Sequence, residues 1–323
     1  MSLGTRRRRI FVPEPLPVAA LAPLDGIAEI HQGPADRACT EAELIEQARC
    51  SDAFIITSRD RITAAVINAG TALSIVAKTG ARPNNVDFAA AKARNVSVIW
   101  TPAANAVSVA EHTLALILGV AKSMLESNRR LLNGLWRDFD LVGVELQGKT
   151  AGLIGFGAIG VEVARRLRAF GMSVLAYDPH VAAERFAAEG VVPAPLDGLV
   201  AQADVVSLHC ALTKETANLL DARRLRSMKA SAFVINTARG GLIDEAALER
   251  ALREGWIAAA GLDVFAEEPP AKGKSLFRLP NVLATPHVAA FTAESIRREV
   301  QWAAEDVGAL LSGRPALRWQ GAA

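Results

Sequence analysis

Six residues, Gly155-Phe156-Gly157-Ala158-Ile159-Gly160, stand between a short apolar run at residues 151–154 and a stretch patterned as a helix. Three glycines at that spacing, behind a strand and ahead of a helix, restrict what the flanking chain can become. The first permits a tight turn, the second lets a ligand approach the backbone, and the third lets helix and turn pack closely. A strand that feeds a helix this way opens a βαβ unit, and such units assemble into a parallel sheet covered by helices. Runs at residues 173–177, 205–209, 233–236, 259–262 and 282–284 supply further strands, which predicts a six-stranded, Rossmann-type doubly wound sheet.

The first hundred residues show a second alternation of the same kind. Strands are expected at residues 10–12, 54–57, 74–77 and 97–100, and helices at 63–68 and 86–94. A further helix starts at a capping box, Thr40-Glu41-Ala42-Glu43. Thr101-Pro102 breaks the pattern, and a second capping box, Ser108-Val109-Ala110-Glu111, predicts the longest helix, running to about Leu131. A closing helix at 292–311 is expected to return to the first domain. With 323 residues the chain exceeds what one core commonly holds. The predicted class is α/β: a discontinuous, flavodoxin-like α/β domain at 1–103 and 290–323, and a Rossmann-type domain at 104–289. Ligands are expected in a cleft between the two.

Composition bounds the partner. Hydrophobic residues make up 51% and charged residues 22%, and the net charge is +2, which lacks the basic surplus of a nucleic-acid binder. A small-molecule ligand fits better. The cysteines, Cys39, Cys50 and Cys210, form no C-x-x-C pair, so neither a disulfide framework nor a zinc site is indicated, no metal is expected, and a reducing cytoplasm is the natural setting. The best membrane candidate, residues 114–121, is short and flanked by Glu111, His112 and Lys122, so no membrane span is expected. The run Arg6-Arg7-Arg8-Arg9 resembles the start of an export signal, but Glu14, Asp25 and four prolines interrupt the apolar stretch behind it. A solvated arm ahead of the first strand is the expectation, with nucleic-acid or membrane contact as the alternative.

The glycine turn carries a further implication once Asp178 is read with it. A carboxylate about 20 residues beyond such a turn, at the end of the next strand, accepts hydrogen bonds from an adenosine ribose and repels a 2′-phosphate. Pro179 and His180 follow Asp178 where an arginine would serve NADP. The cofactor expected is therefore NAD, with its pyrophosphate on Gly155, Gly157, Ala158, Ile159 and Gly160 at the helix N-terminus. His209, Thr237 and Asp263, each at a strand end, complete the candidate cofactor residues. Asp263 is read either as a partner of the nicotinamide carboxamide or as a structural cap.

Reducing a carbonyl requires a cation to hold and polarise the substrate, a proton donor, and a group that keeps the donor charged. Arg239, His287 and Glu268 offer those chemistries in that order. Arg239 follows the 233–236 strand and can pair bidentately with a carboxylate. His287 follows Pro286 past another strand, and Glu268 precedes Pro269-Pro270. A carboxylate beside the imidazole is expected to raise its pKa by roughly 1 to 3 units. Taken singly, each residue also has a plain structural reading.

These residues resemble the D-isomer-specific 2-hydroxyacid dehydrogenase family, which includes phosphoglycerate dehydrogenases and glyoxylate or hydroxypyruvate reductases. The likeness covers nearly the whole chain and is densest in Ser108-Val109-Ala110-Glu111-His112-Thr113, the glycine turn, Val206-Ser207-Leu208-His209, residues 235–244, residues 262–270 and Pro286-His287. It implies hydride transfer between NAD and C2 of a small 2-oxo or D-2-hydroxy acid, with Arg239, Glu268 and His287 as the catalytic residues. It also implies a homodimer formed in part by the long helix. Because the chain ends soon after its last helix, serine-controlled regulation is not expected. The formate dehydrogenase branch carries glutamine where Glu268 stands, which argues against that branch.

Two positions depart from the family. Its substrate loop reads Arg-x-Gly-x-Gly-x-Asp-Asn, and here the loop is Lys78-Thr79-Gly80-Ala81-Arg82-Pro83-Asn84-Asn85. Lys78, Gly80, Ala81 and Arg82 are thus candidate substrate residues beside Arg239. Arg82 either faces the ligand, favouring a second anionic group, or points outward. Ala211 stands where proline is usual and is expected to alter only local rigidity. Two rivals remain open at this point: an NAD(H)-sensing, corepressor-like binding protein on the same scaffold, and oxidation of an inorganic or phosphonate-like anion by the same three residues.

Overall fold

A computed structural model of the chain describes residues 7–318. It divides into two compact units, one formed by the chain up to Asn105 together with the chain from Thr292, the other by Ala106–Phe291.

The first unit runs β1 (Arg8–Val12), β2 (Ala28–Gln32), α1 (Glu41–Ala48), β3 (Ala53–Ile56), α2 (Ala64–Ala69), β4 (Ile75–Lys78), α3 (Phe88–Ala93) and β5 (Ser97–Trp100). Its sheet is all-parallel in the order β2-β1-β3-β4-β5, the flavodoxin-like arrangement. Strands β3 and β4 are buried along their whole length because both faces are covered. Alternate side chains serve two cores. Ile10, Val12, Ile55, Ala77 and Ile99 pack with Val300, Ala304 and Val307, while Phe11, Phe54, Ile56, Val76 and Val98 pack with Leu44, Val66 and Ile67.

The second unit runs α4 (Ala106–Ala121), α5 (Met124–Leu132), β6 (Thr150–Ile154), α6 (Ala158–Ala169), β7 (Ser173–Tyr177), α7 (Ala183–Ala188), β8 (Val192–Pro193), α8 (Leu196–Gln202), β9 (Val205–Leu208), α9 (Ala222–Ser227), β10 (Phe233–Asn236), α10 (Glu245–Arg253), β11 (Ala259–Leu262) and β12 (Val282–Ala284). The chain then closes with α11 (Ala293–Leu311), which belongs to the first unit. The second sheet is also all-parallel, ordered β12-β11-β10-β9-β6-β7-β8. Strand β6 pairs with β7 on one side and β9 on the other, so the strand order reverses at β6 and a crevice opens beyond its carboxyl end. The glycine turn lies at that point.

Several sequence expectations need correction. The second sheet has seven strands, because Val192–Pro193 adds a two-residue edge to β7. Strand β2, also at an edge, had no counterpart among the expected strands. The expected long helix is two: Ser123 adopts φ +49°, and α4 and α5 meet at a 63° bend. Helix α4 begins at Ala106, so Ser108 is a buried residue inside it and does not cap it; the longest helix is α11. The capping box at Thr40 forms, with the Glu43 amide donating to Thr40 Oγ1 at 3.3 Å and the Thr40 amide to Glu43 Oε2 at 2.8 Å. The arginine run is only partly an arm. Arg6 lies outside the described residues, whereas Arg8 and Arg9 open β1, Arg8 pairing with Asp52 at 3.0 Å and Arg9 with Gln47 at 3.1 Å. Among the described residues no single helix is long and apolar enough to cross a membrane.

Candidate active site

Each glycine of the turn meets a different steric demand. Gly155 has φ +99°, and a Cβ there would lie 2.6 Å from the Cys210 amide nitrogen and from the His209 carbonyl carbon. At Gly160 a Cβ would meet the Gly155 carbonyl oxygen at 2.4 Å, so helix α6 touches its own turn. At Gly157, by contrast, a Cβ would find nothing within 4 Å, and α6 starts there without a side-chain cap. Open approach and an uncapped helix N-terminus are what a pyrophosphate requires, since the first-turn amides of Ala158, Ile159 and Gly160 have no intrahelical partner. Asp178 closes the turn from the side. Its Oδ2 accepts from the Phe156 amide at 2.8 Å and its Oδ1 from the His180 amide at 3.0 Å. His209 continues the wall after β9, with Nε2 2.9 Å from Ser207 Oγ; desolvation holds its pKa far down, at about 3, so the ring is neutral.

The candidate reacting groups stand beyond three strand ends of the same sheet. Beyond β10, Asn236 grips the turn on both sides: Nδ2 donates to the Arg239 carbonyl at 2.9 Å and Oδ1 accepts from the Ala238 amide at 3.0 Å. The Arg239 guanidinium is exposed, donates to the Ala238 carbonyl at 2.5 Å, and pairs with no carboxylate among the described residues. Next to it, Gly240 lies so close to the chain beyond β11 that a Cβ would stand 1.9 Å from the Phe265 carbonyl carbon. That backbone contact sets the Arg239 turn against the loop carrying Glu268. The loop is fastened again by Glu245, at the start of α10, whose Oε1 accepts from the Ala266 amide at 2.9 Å and whose other oxygen pairs with Lys274.

Glu268 Oε1 accepts from the Phe265 amide at 3.0 Å, and Oε2 lies 2.6 Å from His287 Nδ1. The carboxylate therefore orients the ring and leaves Nε2 for a ligand. His287 sits at φ +54°, a backbone region few non-glycine residues adopt, at a cost of about 1–3 kcal/mol. What holds it there is Asp263. The His287 amide donates to the Asp263 carbonyl at 2.8 Å, the Val288 and Ala289 amides donate to its two carboxylate oxygens at 2.9 Å each, and Thr285 Oγ1 donates to Oδ1 at 2.6 Å. Asp263 is fully buried, and both of its carboxylate oxygens are engaged by residues 285–289. One side of the Glu268–His287 pair borders a cavity of about 420 Å³ walled by Leu125, Phe265, Pro269 and Phe277, which keeps that flank apolar. The sequence pointed to Arg239, Glu268 and His287, and these share one sheet edge. It assigned no role to Glu245, Thr285 or His112, although His112 lies in the segment 108–113 where the likeness is dense; their contacts are tertiary.

In the first unit the loop after β4 has its own logic. Lys78 is buried, and its Nζ donates to the Thr79 carbonyl at 3.0 Å and the Ala81 carbonyl at 3.2 Å. Gly80, at φ +85°, donates its amide to Thr101 Oγ1 at 2.7 Å, and its absent Cβ makes room for Glu299, whose carboxyl pKa burial pushes up. With the carbonyls drawn inward, the amides of Ala81 and Arg82 take no protein partner among the described residues, as an anion cradle requires. The Arg82 guanidinium is exposed and lies over the Phe88 ring at 5.1 Å.

Comparison with known proteins agrees with this arrangement. Residues 114–289 match the model of the D-isomer specific 2-hydroxyacid dehydrogenase NAD-binding domain. The chain is 41% identical to D-3-phosphoglycerate dehydrogenase of Archaeoglobus fulgidus over 84% of its length, and it spans about half, 52%, of that protein. It is 37% identical to a glyoxylate reductase of Thermofilum pendens, covering 96% of this chain and 94% of the relative. Among solved structures, the TT0316 protein of Thermus thermophilus superposes with a TM-score of 0.86 at 37% identity, covering 96% of this chain and 99% of that one. The chain belongs to the D-isomer specific 2-hydroxyacid dehydrogenases, and its cofactor is NAD.

Proposed function

We propose that this chain transfers hydride between NAD and C2 of a small 2-oxo or D-2-hydroxy acid of the phosphoglycerate, hydroxypyruvate or glyoxylate class. The observation that carries the reading is the 2.6 Å contact between Glu268 and His287 Nδ1, at strand ends of the sheet that also carries the dinucleotide turn and Arg239, whose guanidinium pairs with no carboxylate among the described residues. Bound nicotinamide supplies the hydride. Arg239 anchors the substrate carboxylate and draws electron density from the carbonyl. In reduction His287 Nε2 gives its proton to the carbonyl oxygen; in oxidation it takes the hydroxyl proton back. Glu268, held by the Phe265 amide, stabilises the charged ring and fixes its tautomer. The loop from Lys78 to Arg82, with Gly80 at its bend and the free amides of Ala81 and Arg82, is proposed to contribute to substrate binding.

A spectrophotometric screen of 2-oxo acids with NADH and NADPH tests the assignment: NADH is consumed with at least one of them. Tight NADH binding without turnover of any would favour the corepressor-like rival. In the same assay Asp178→Ala is expected to raise KM for NADH about tenfold and to narrow the preference over NADPH, because the variant loses both the ribose acceptor and the bond that closes the turn. An unchanged NADH to NADPH ratio would remove Asp178 from cofactor selection.

A homodimer and a cytoplasmic setting complete the proposal. Exposed apolar side chains cluster from Met124 to Val142, with Trp136 76% and Phe139 92% exposed, more than a lone surface hydrophobic explains. Light scattering should report twice the 34.2 kDa chain, and Trp136→Asp with Phe139→Asp should return one chain. A doubly substituted protein that still runs at the parent's mass would mean that this segment does not join subunits.

A further inference from the structure

Two neighbouring side chains on α4 reach the loops that carry the anchor and the acid, and neither belongs to any motif with an assigned task. His112 Nε2 lies 2.9 Å from Thr285 Oγ1 and 3.5 Å from Asp263 Oδ1. Thr113 Oγ1 lies 2.9 Å from Thr237 Oγ1, two residues before Arg239. We propose that His112 and Thr113 are positioning residues, His112 setting the loop that presents His287 and Thr113 the turn that presents Arg239.

The direction of each proton follows from counting donors. Thr285 has one hydroxyl proton, and Asp263 is a fully buried carboxylate facing it at 2.6 Å, so that proton goes to Asp263. The Thr285 oxygen then accepts, and His112 must donate from Nε2, as the imidazolium or as the Nε2–H tautomer. Without that donor the Thr285 hydroxyl is free to rotate, and Asp263 can lose one of the bonds through which it grips residues 285–289. The segment so released holds His287 at φ +54°, a conformation that persists only while its surroundings enforce it. Thr113 shows the same economy. Its proton goes to the Val109 carbonyl at 2.8 Å, so Thr237 donates to Thr113, and the β10 end is tied to a buried helix position. One turn of one helix thus registers two strand ends that must be held together for the three reacting residues to converge.

The kinetic consequence rests on the proposed activity, but the structural one does not, and the test separates them. Amide hydrogen exchange in the holoprotein with NADH is the first readout. His112→Ala should speed exchange at His287, Val288 and Ala289 by about tenfold or more, Thr113→Val should do so at residues 237–240, and each should leave the other's segment within about twofold. His112→Gln, which keeps an N–H donor near the same place, should restore most of the protection. The second readout uses whichever 2-oxo acid the wild-type protein reduces. His112→Ala should lower kcat about tenfold with KM nearly constant, whereas Thr113→Val should raise KM several-fold and lower kcat with it, as a displaced Arg239 would. Uniform loss of protection across the unit in both variants, or protection at parental levels in both, would overturn the proposal. So would equal effects of both variants on kcat and KM. A wild-type protein without turnover would refute the activity and leave the exchange result to decide the positioning role.

Discussion

His287→Ala is expected to lower turnover by about 10² to 10⁴ while leaving NADH affinity within a few-fold of the parent. The size follows from what the ring alone supplies. Its Nδ1 is committed to Glu268 at 2.6 Å, its side chain is half exposed, and no other histidine among the described residues lies in the loops that follow β10, β11 and β12. His112 is engaged by Thr285, and His209 is neutral and bonded to Ser207. The variant should also remain folded. The backbone bonds that hold the loop run through the residue 287 amide to the Asp263 and Thr285 carbonyls, which alanine preserves. Steady-state rates and NADH fluorescence titration on one preparation check both halves. A loss of only a few-fold in turnover with unchanged melting would show that the proton comes from elsewhere. Glu268→Gln is a useful companion: it removes the charge and leaves one acceptor oxygen to serve either the ring or the Phe265 amide, so its effect should fall between the parent and His287→Ala.

The parts of this molecule that could be read from the sequence are those where backbone sterics or strand position leave few choices. Gly155 and Gly160 are legible because any Cβ would collide with backbone at 2.6 Å or less, and only glycine answers that demand. The buried strands β6, β9 and β10 are legible because both faces are covered and most of their residues are apolar. Arg239, Glu268 and His287 are legible as chemistry-bearing residues beyond strand ends. What escaped has physical reasons too. Strand β2, Ala-Glu-Ile-His-Gln, is an edge with one large apolar residue at its centre, and β8 is two residues long with a proline on the outside. The break at Ser123 carries neither glycine nor proline, and the apolar periodicity runs straight through it. Ser108 fits the capping spacing, but the helix starts two residues earlier, and a motif four residues long cannot tell the first turn from the second. Residues such as Thr285 and Glu245 act through tertiary partners 22 and 21 positions away, a separation that local patterning does not register.

Arg239→Ala should cost about 10² to 10³ in kcat/KM for a 2-oxo acid, and Arg239→Lys should recover only part of it. The reason lies in how this guanidinium is held without a carboxylate. An exposed arginine in a turn is ordinarily free to swing toward the nearest acid, yet here Asn236 fixes the main chain on both sides of it and the guanidinium returns to the Ala238 carbonyl. Gly240 then locks the turn against Phe265, so the residue cannot drift without moving the Glu268 loop. The side chain is thus pre-oriented and uncompensated, the condition under which a planar fork binds a carboxylate bidentately with little further loss of freedom. Lysine retains the charge but offers a point where two parallel donors are needed, so the loss should appear in both KM and kcat. If alanine changes KM alone, the group only anchors; if it changes neither beyond a few-fold, the substrate carboxylate is held by other donors, and the amides of Ala81 and Arg82 become the first place to look.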